Sequence, residues 1–136
     1  MTRRRDARRT AVGILYQADL TGRSPLEVLE ERRGLGERSG LSAFAEDLVR
    51  GVTERREELD RLIGEYAEGW TVPRMASVDR TLLRVACFEI LYREDVPAAA
   101  AVDEAVAAAK ELSTEDSGRF VNGVLGRIVQ ERAGTG

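Results

Sequence analysis

Residues 77–92 read Ser77-Val78-Asp79-Arg80-Thr81-Leu82-Leu83-Arg84-Val85-Ala86-Cys87-Phe88-Glu89-Ile90-Leu91-Tyr92. Apolar side chains recur at three- and four-residue steps, so Val78, Leu82, Val85, Ala86 and Ile90 share one face, the period of an α-helix. Ser77 is expected to cap the start of this helix, and Asp95-Val96-Pro97 to turn the chain after it. The same period returns on both sides. Downstream, Val102, Ala105, Val106 and Ala109 mark a helix over 98–112. After the polar turn Ser113–Ser117, Phe120, Val121, Val124, Leu125 and Ile128 mark a last helix that frays at Ala133–Gly136.

Upstream, residues 4–21 place Ala7, Ala11, Leu15 and Ala18 on one face. Ser24, Pro25 and Glu27 read as a capping box opening a short helix to about Arg33. Residues 34–40 form a loop by composition. Ser42 caps a longer helix with Phe44, Leu48 and Val52 at four-residue steps. Leu59, Leu62, Ile63 and Tyr66 continue that stripe after a break near Glu57. Gly69-Trp70-Thr71-Val72-Pro73 closes the first half. No run alternates at period two with β-branched and aromatic residues. The expected architecture is all-α, a compact bundle of about seven helices in two packed groups, about 1–72 and 73–136.

The chain has 136 residues, 43 % of them apolar, enough for a folded domain. Its charge is unevenly spread. Arg3, Arg4, Arg5, Arg8 and Arg9 against Asp6 give the leader +4, so the rest must carry −7 for the chain to total −3. A cationic tip on an acidic body suits a polyanion such as nucleic acid, bound largely through counterion release. A solvated terminus or a targeting segment has the same composition. No apolar run long enough to span a membrane is present, and no secretory-type apolar region follows the leader, so the chain is expected in the cytoplasm, away from membranes.

Histidine is absent, which removes the commonest general base and metal ligand. The single Cys87 permits no internal disulfide and lies mid-helix, where a small buried apolar side chain is expected. Adjacent carboxylates such as Asp103/Glu104 point apart on a helix and do not make an acid–base pair. The expectation is therefore a protein without catalysis, metal or cofactor.

At the start of the last helix, Asp116 or Ser117 is expected as the cap. Arg119 and Phe120 then set a guanidinium and a ring beside unpaired N–H groups, a combination suited to an unpaired base and its phosphate. The alternative is that Phe120 is core and Arg119 merely solvated. Asn122-Gly123 within a helix suggests another backbone packed against Gly123.

Three stretches resemble signatures of the NusB family: Val78-Asp79-Arg80 through Arg84 and Glu89 to Leu91, Val102-Asp103-Glu104 through Lys110 to Ser113, and Ser113 through Asp116, Phe120 and Asn122-Gly123 to Leu125. The Arg-rich start with Ala11–Ala18 and the Phe44–Val52 segment extend the likeness over nearly the whole chain, residues 23–41 being its weakest part. The resemblance implies an all-α transcription antitermination factor that binds single-stranded boxA RNA of ribosomal RNA leaders. It implies partnership with NusE, a small-subunit ribosomal protein, and with RNA polymerase and other Nus factors. It carries an RNA-binding role to Arg3, Arg4, Arg5, Arg8, Arg9, Asp116, Arg119 and Phe120. Tyr66 is a further RNA candidate whose alternative is core packing. Asp79, Arg80, Arg84 and Glu89 fall on the helix similar to the NusE-facing one, where intramolecular pairing is the alternative. A homodimer is left open. So is a purely protein-binding adaptor, which indifference to RNA would distinguish.

Overall fold

The computed structural model describes residues 3–135. Among them are seven α-helices and no strand: α1 (Arg3–Thr21), α2 (Pro25–Arg33), α3 (Ala43–Glu54), α4 (Arg56–Tyr66), α5 (Ser77–Tyr92), α6 (Ala98–Leu112) and α7 (Glu115–Thr135). Two short 3-10 turns, Gly36–Ser39 and Val72–Arg74, interrupt the connections. The last helix runs on through the stretch expected to fray, and Gly136 lies outside the described residues.

By compactness the chain forms one unit up to Arg55 and another from Arg56, ahead of the division near Pro73 expected from the Gly69–Pro73 turn. The reason is that α4 packs on α5 and α7. In the first unit α1 lies on α2 and α3, and α2 on α3. The α1 stripe Ala7, Ala11, Ile14, Leu15 and Ala18 is buried, as are Ala45, Leu48, Val49 and Val52 of α3. Each fully buried Leu or Val side chain contributes about 1.5–3 kcal/mol. Gly40, at φ +68°, ends the 3-10 turn in the left-handed region, and a Cβ there would stand 3.1 Å from Thr10 Oγ1 on α1. Only glycine lets the loop pass this close without strain.

In the second unit α6 and α7 form the most extensive pairing, and α5 packs against α4, α6 and α7. Leu82, Leu83, Val85, Ala86 and Phe88 of α5 are buried, with Val121, Val124, Leu125 and Ile128 of α7. The close approach expected at Gly123 is found at Gly118. A Cβ on Gly123 would meet only Arg127 Nη2 at 3.9 Å, whereas one on Gly118 would sit 2.6 Å from Lys110 Cγ. The aliphatic stem of the chain's sole lysine therefore crosses α7 where the side chain is missing.

The helix starts differ from expectation in three places. Ser42 does cap α3, its Oγ accepting from Ala45 N at 3.1 Å. Ser24 occupies the cap position of α2 without a side-chain bond, and Glu27 lies instead 3.6 Å from the Arg23 guanidinium, so no capping box forms. Ser77 is the first helical residue of α5, one position past the cap, which is Ala76. Thr114 caps α7 in place of Asp116 or Ser117, its Oγ1 accepting from Ser117 N at 3.0 Å.

Candidate nucleic-acid interface

The arginine tip is part of α1, so its charges are arrayed on a helix. Arg3, Arg4 and Arg5 are exposed and Arg8 and Arg9 half-buried, with Ala7 between them anchored in the first unit's core. Arg4 and Arg8, four residues apart, share a face. Their Cζ atoms stand 4.5 and 5.3 Å from the centroid of Phe44, on the first turn of α3. Two guanidiniums over one ring form a cation–π stack that orders the long side chains while keeping their charge. The positive end of the α1 dipole adds to this field. Phe44 was legible in the sequence only as one position of an apolar stripe. Its pairing with the tip is tertiary.

In the second unit, Asp116, Arg119 and Phe120 share the first turns of α7. Asp116 accepts from Arg119 in an ion pair open to solvent, with 71 % of the arginine side chain exposed. Phe120 is half-buried and meets Trp70 edge to face, with ring centroids 6.3 Å apart at 66°. These rings border a groove of about 550 Å³ lined also by Arg74, Met75, Asp79 and Ser117. Phe120 is thus neither sealed in the core nor fully open. Trp70 and Arg74 were not singled out from sequence, although an indole in a Gly–Pro turn is a signal that could have found them.

Asp79 sits in the groove lining, almost wholly buried. Its Oδ2 accepts from Ser117 Oγ at 3.3 Å, while its Oδ1 has no hydrogen-bond partner among the described residues. Burial pushes its carboxyl above the usual range, partly opposed by the Ser117 hydroxyl. Burying a carboxylate favours the neutral form unless donors replace water.

The remaining α5 charges mostly face inward. Arg84 is buried and forms a bidentate pair with Asp60 of α4, Nε to Oδ1 at 2.7 Å and Nη2 to Oδ2 at 2.9 Å. Glu89 is 1 % exposed. Arg80 is half-buried and donates from Nη1 to the carbonyls of Val72, Pro73 and Met75 at 3.3, 3.2 and 3.0 Å. Arg84 is thus paired within the chain, and Arg80 donates to a neighbouring turn.

Tyr66 is half-buried at the end of α4, in a mixed-charge cleft with Glu58, Arg61, Glu65, Glu131 and Arg132. Its carbonyl accepts from Arg127 Nη1 at 2.5 Å. Burial, then Glu131 and Glu65, raises the phenol's pKa, so it is neutral at pH 7. The cleft is not the groove that holds Phe120. Cys87 is buried, its thiol pushed up to about 12 by burial, and is chemically quiet at neutral pH. Among the described residues no His, Cys, Asp and Glu side chains cluster as metal ligands, and no helix is long and apolar enough to cross a membrane.

Known proteins share both the sequence and the fold. A transcription antitermination protein NusB of Saccharopolyspora erythraea is 50 % identical over 129 residues, spanning 94 % of this chain and 87 % of that one. The NusB structure of T. maritima superposes with a TM-score of 0.83 at 35 % identity, covering 94 % of this chain and 91 % of that one. A chain in the crystal structure of antitermination factors NusB and NusE with double-stranded RNA matches with a TM-score of 0.80 at 30 % identity, over 96 % of this chain and 98 % of that one. The model of the NusB family matches residues 5–130, and the chain belongs to that family.

Proposed function

We propose that the protein is a non-enzymatic transcription antitermination factor. In this reading it binds single-stranded boxA RNA of ribosomal RNA leaders together with NusE. The pair assembles on elongating RNA polymerase with other Nus factors and suppresses termination in the cytoplasm. The observation that carries the RNA reading is the helical array of Arg3, Arg4, Arg5, Arg8 and Arg9, two of its members stacked on Phe44. An ordered cationic row matches a phosphate backbone better than a loose tip does, because less side-chain freedom is lost on binding. The Phe120 groove, with Arg74 in its lining, supports it as a place for an unpaired base. The relatives' names and the complex with NusE and RNA point to the same class of ligand.

The test is fluorescence polarisation of a boxA-like single-stranded RNA, with and without NusE. NusE should tighten binding. Replacing Arg4, Arg5 and Arg8 by Ala should flatten log K against log salt by roughly 2, at about 0.7 per lost phosphate contact. An unchanged slope would remove the arginines from the interface. Indifference to RNA with NusE present would refute the reading and favour a protein-binding adaptor.

A further inference from the structure

We propose that Trp70 is a base-stacking residue of the RNA site and that Arg80 is the positioning residue that holds it there. The inference rests on the RNA reading above.

Trp70 is the only tryptophan of the chain and is 52 % exposed, an unusual position for so large an apolar group. The backbone presents it deliberately. Gly69, at φ +77°, reverses the chain after α4, and Trp70 N donates to Ala67 O at 3.0 Å. The next residues form the Val72–Arg74 turn, anchored from beneath by buried Val72 and Met75. The three carbonyls that Arg80 binds belong to this turn and to Met75 just after it, so one guanidinium fixes a short segment.

What the pinned turn displays suits a nucleotide. The T-shaped contact with Phe120 braces the indole, leaving indole surface open to solvent. Arg74, on the same turn, is exposed and makes no ion pair among the described residues. An indole for a base and a nearby cation for its phosphate are the two parts of a single-strand contact. A purely apolar protein side chain would use the groove but leave the Arg74 charge unmatched. We therefore assign the groove to one unpaired base, stacked on Trp70, with Arg74 on a flanking phosphate.

The test titrates the full chain, with NusE, against a boxA-like single-stranded RNA carrying a terminal fluorophore. Polarisation reads affinity while indole emission reads Trp70, and the W70F variant supplies the background from NusE. Stacking should quench Trp70 emission with the same midpoint as the polarisation curve. W70A should weaken binding about 5- to 150-fold with melting little changed, and W70F should weaken it less. R80A should shift the emission of the free protein and lower RNA affinity, and R80K should restore part of both.

RNA binding without quenching, or W70A within twofold of the parent, overturns the stacking role while leaving the RNA reading intact. Trp70 emission unchanged in R80A overturns the positioning role. Quenching complete with NusE alone, unmoved by RNA, overturns the proposal in favour of a protein contact. A parent chain that binds no RNA overturns both readings.

Discussion

The Arg84–Asp60 pair offers the sharpest test of what the charges on α5 do. If it is an internal clamp between α4 and α5, removing one partner takes a bidentate counter-charge from the other. Arg84 keeps 8 % of its side chain exposed and Asp60 26 %. Breaking a buried pair costs about 3–5 kcal/mol, and the partial exposure of Asp60 places this one at the lower end, about 3 kcal/mol. An unfolding entropy of about 2.1 cal/mol/K per residue gives a chain of 136 residues about 0.29 kcal/mol/K, so Tm should fall about 10 °C for Asp60→Ala. Asp60→Ala combined with Arg84→Met should recover much of that loss, since an apolar replacement of both partners is often neutral. Calorimetry of the four proteins of this cycle isolates the coupling. NusE binding by the folded double variant should be unchanged. A single-variant loss under about 1 kcal/mol, or lost NusE affinity with stability intact, would show that Arg84 serves the partner and not the fold.

Other expectations follow from single contacts. Gly118→Ala should destabilise by about 1–3 kcal/mol less the roughly 1 kcal/mol helix-propensity gain, because its Cβ meets the Lys110 stem. Adding Lys110→Ala should reverse the sign, and Gly126→Ala, with open space around it, should stabilise by about 0.5–1 kcal/mol in denaturant melts. Asp79 has a folded pKa raised by burial, so it binds its proton more tightly folded than unfolded. Its contribution is present below the unfolded value of about 3.9 and is lost as pH rises through the folded one. Asp79→Asn should therefore flatten the fall of Tm across that window. Phe120→Ala should weaken RNA binding by about 1–3 kcal/mol. A loss of melting temperature with RNA affinity retained would make the ring structural.

The helices were legible because each buries a stripe that repeats in sequence. Leu48 and Val52 of α3, or Val121, Val124 and Ile128 of α7, declare their faces without knowledge of a neighbour. The caps were less so. Ser24, Ser77 and Thr114 are all small hydroxyls near helix starts, and which of them bonds a backbone N–H depends on one residue of register. The glycine contact was misplaced for a related reason. Gly118 and Gly123 look alike in sequence, but only Gly118 lies under a side chain from α6. Charges were hardest to read, because a helical period sorts apolar from polar and does not say which polar groups meet. Arg84 and Asp60 lie 24 residues apart, a distance at which no pattern links them.

That difference explains how recognition and stability are divided along the second unit. The buried Arg84 and the half-buried Arg80 both come from α5, and both act on segments to its N-terminal side, α4 and the 72–75 turn. Neither needs to reach a ligand to matter for one. On the proposal above, the Arg84 pair in the middle of α4 and the Arg80 bonds to the turn after it hold still the short stretch that carries Trp70 and Arg74. A groove built on α7 alone would present Phe120 and Ser117 on a rigid helix but have only one wall. The second wall is a loop, and a loop binds well only when ordered in advance. In this reading Arg80 and Arg84 brace the groove from behind, while Asp79 of the same helix lines it.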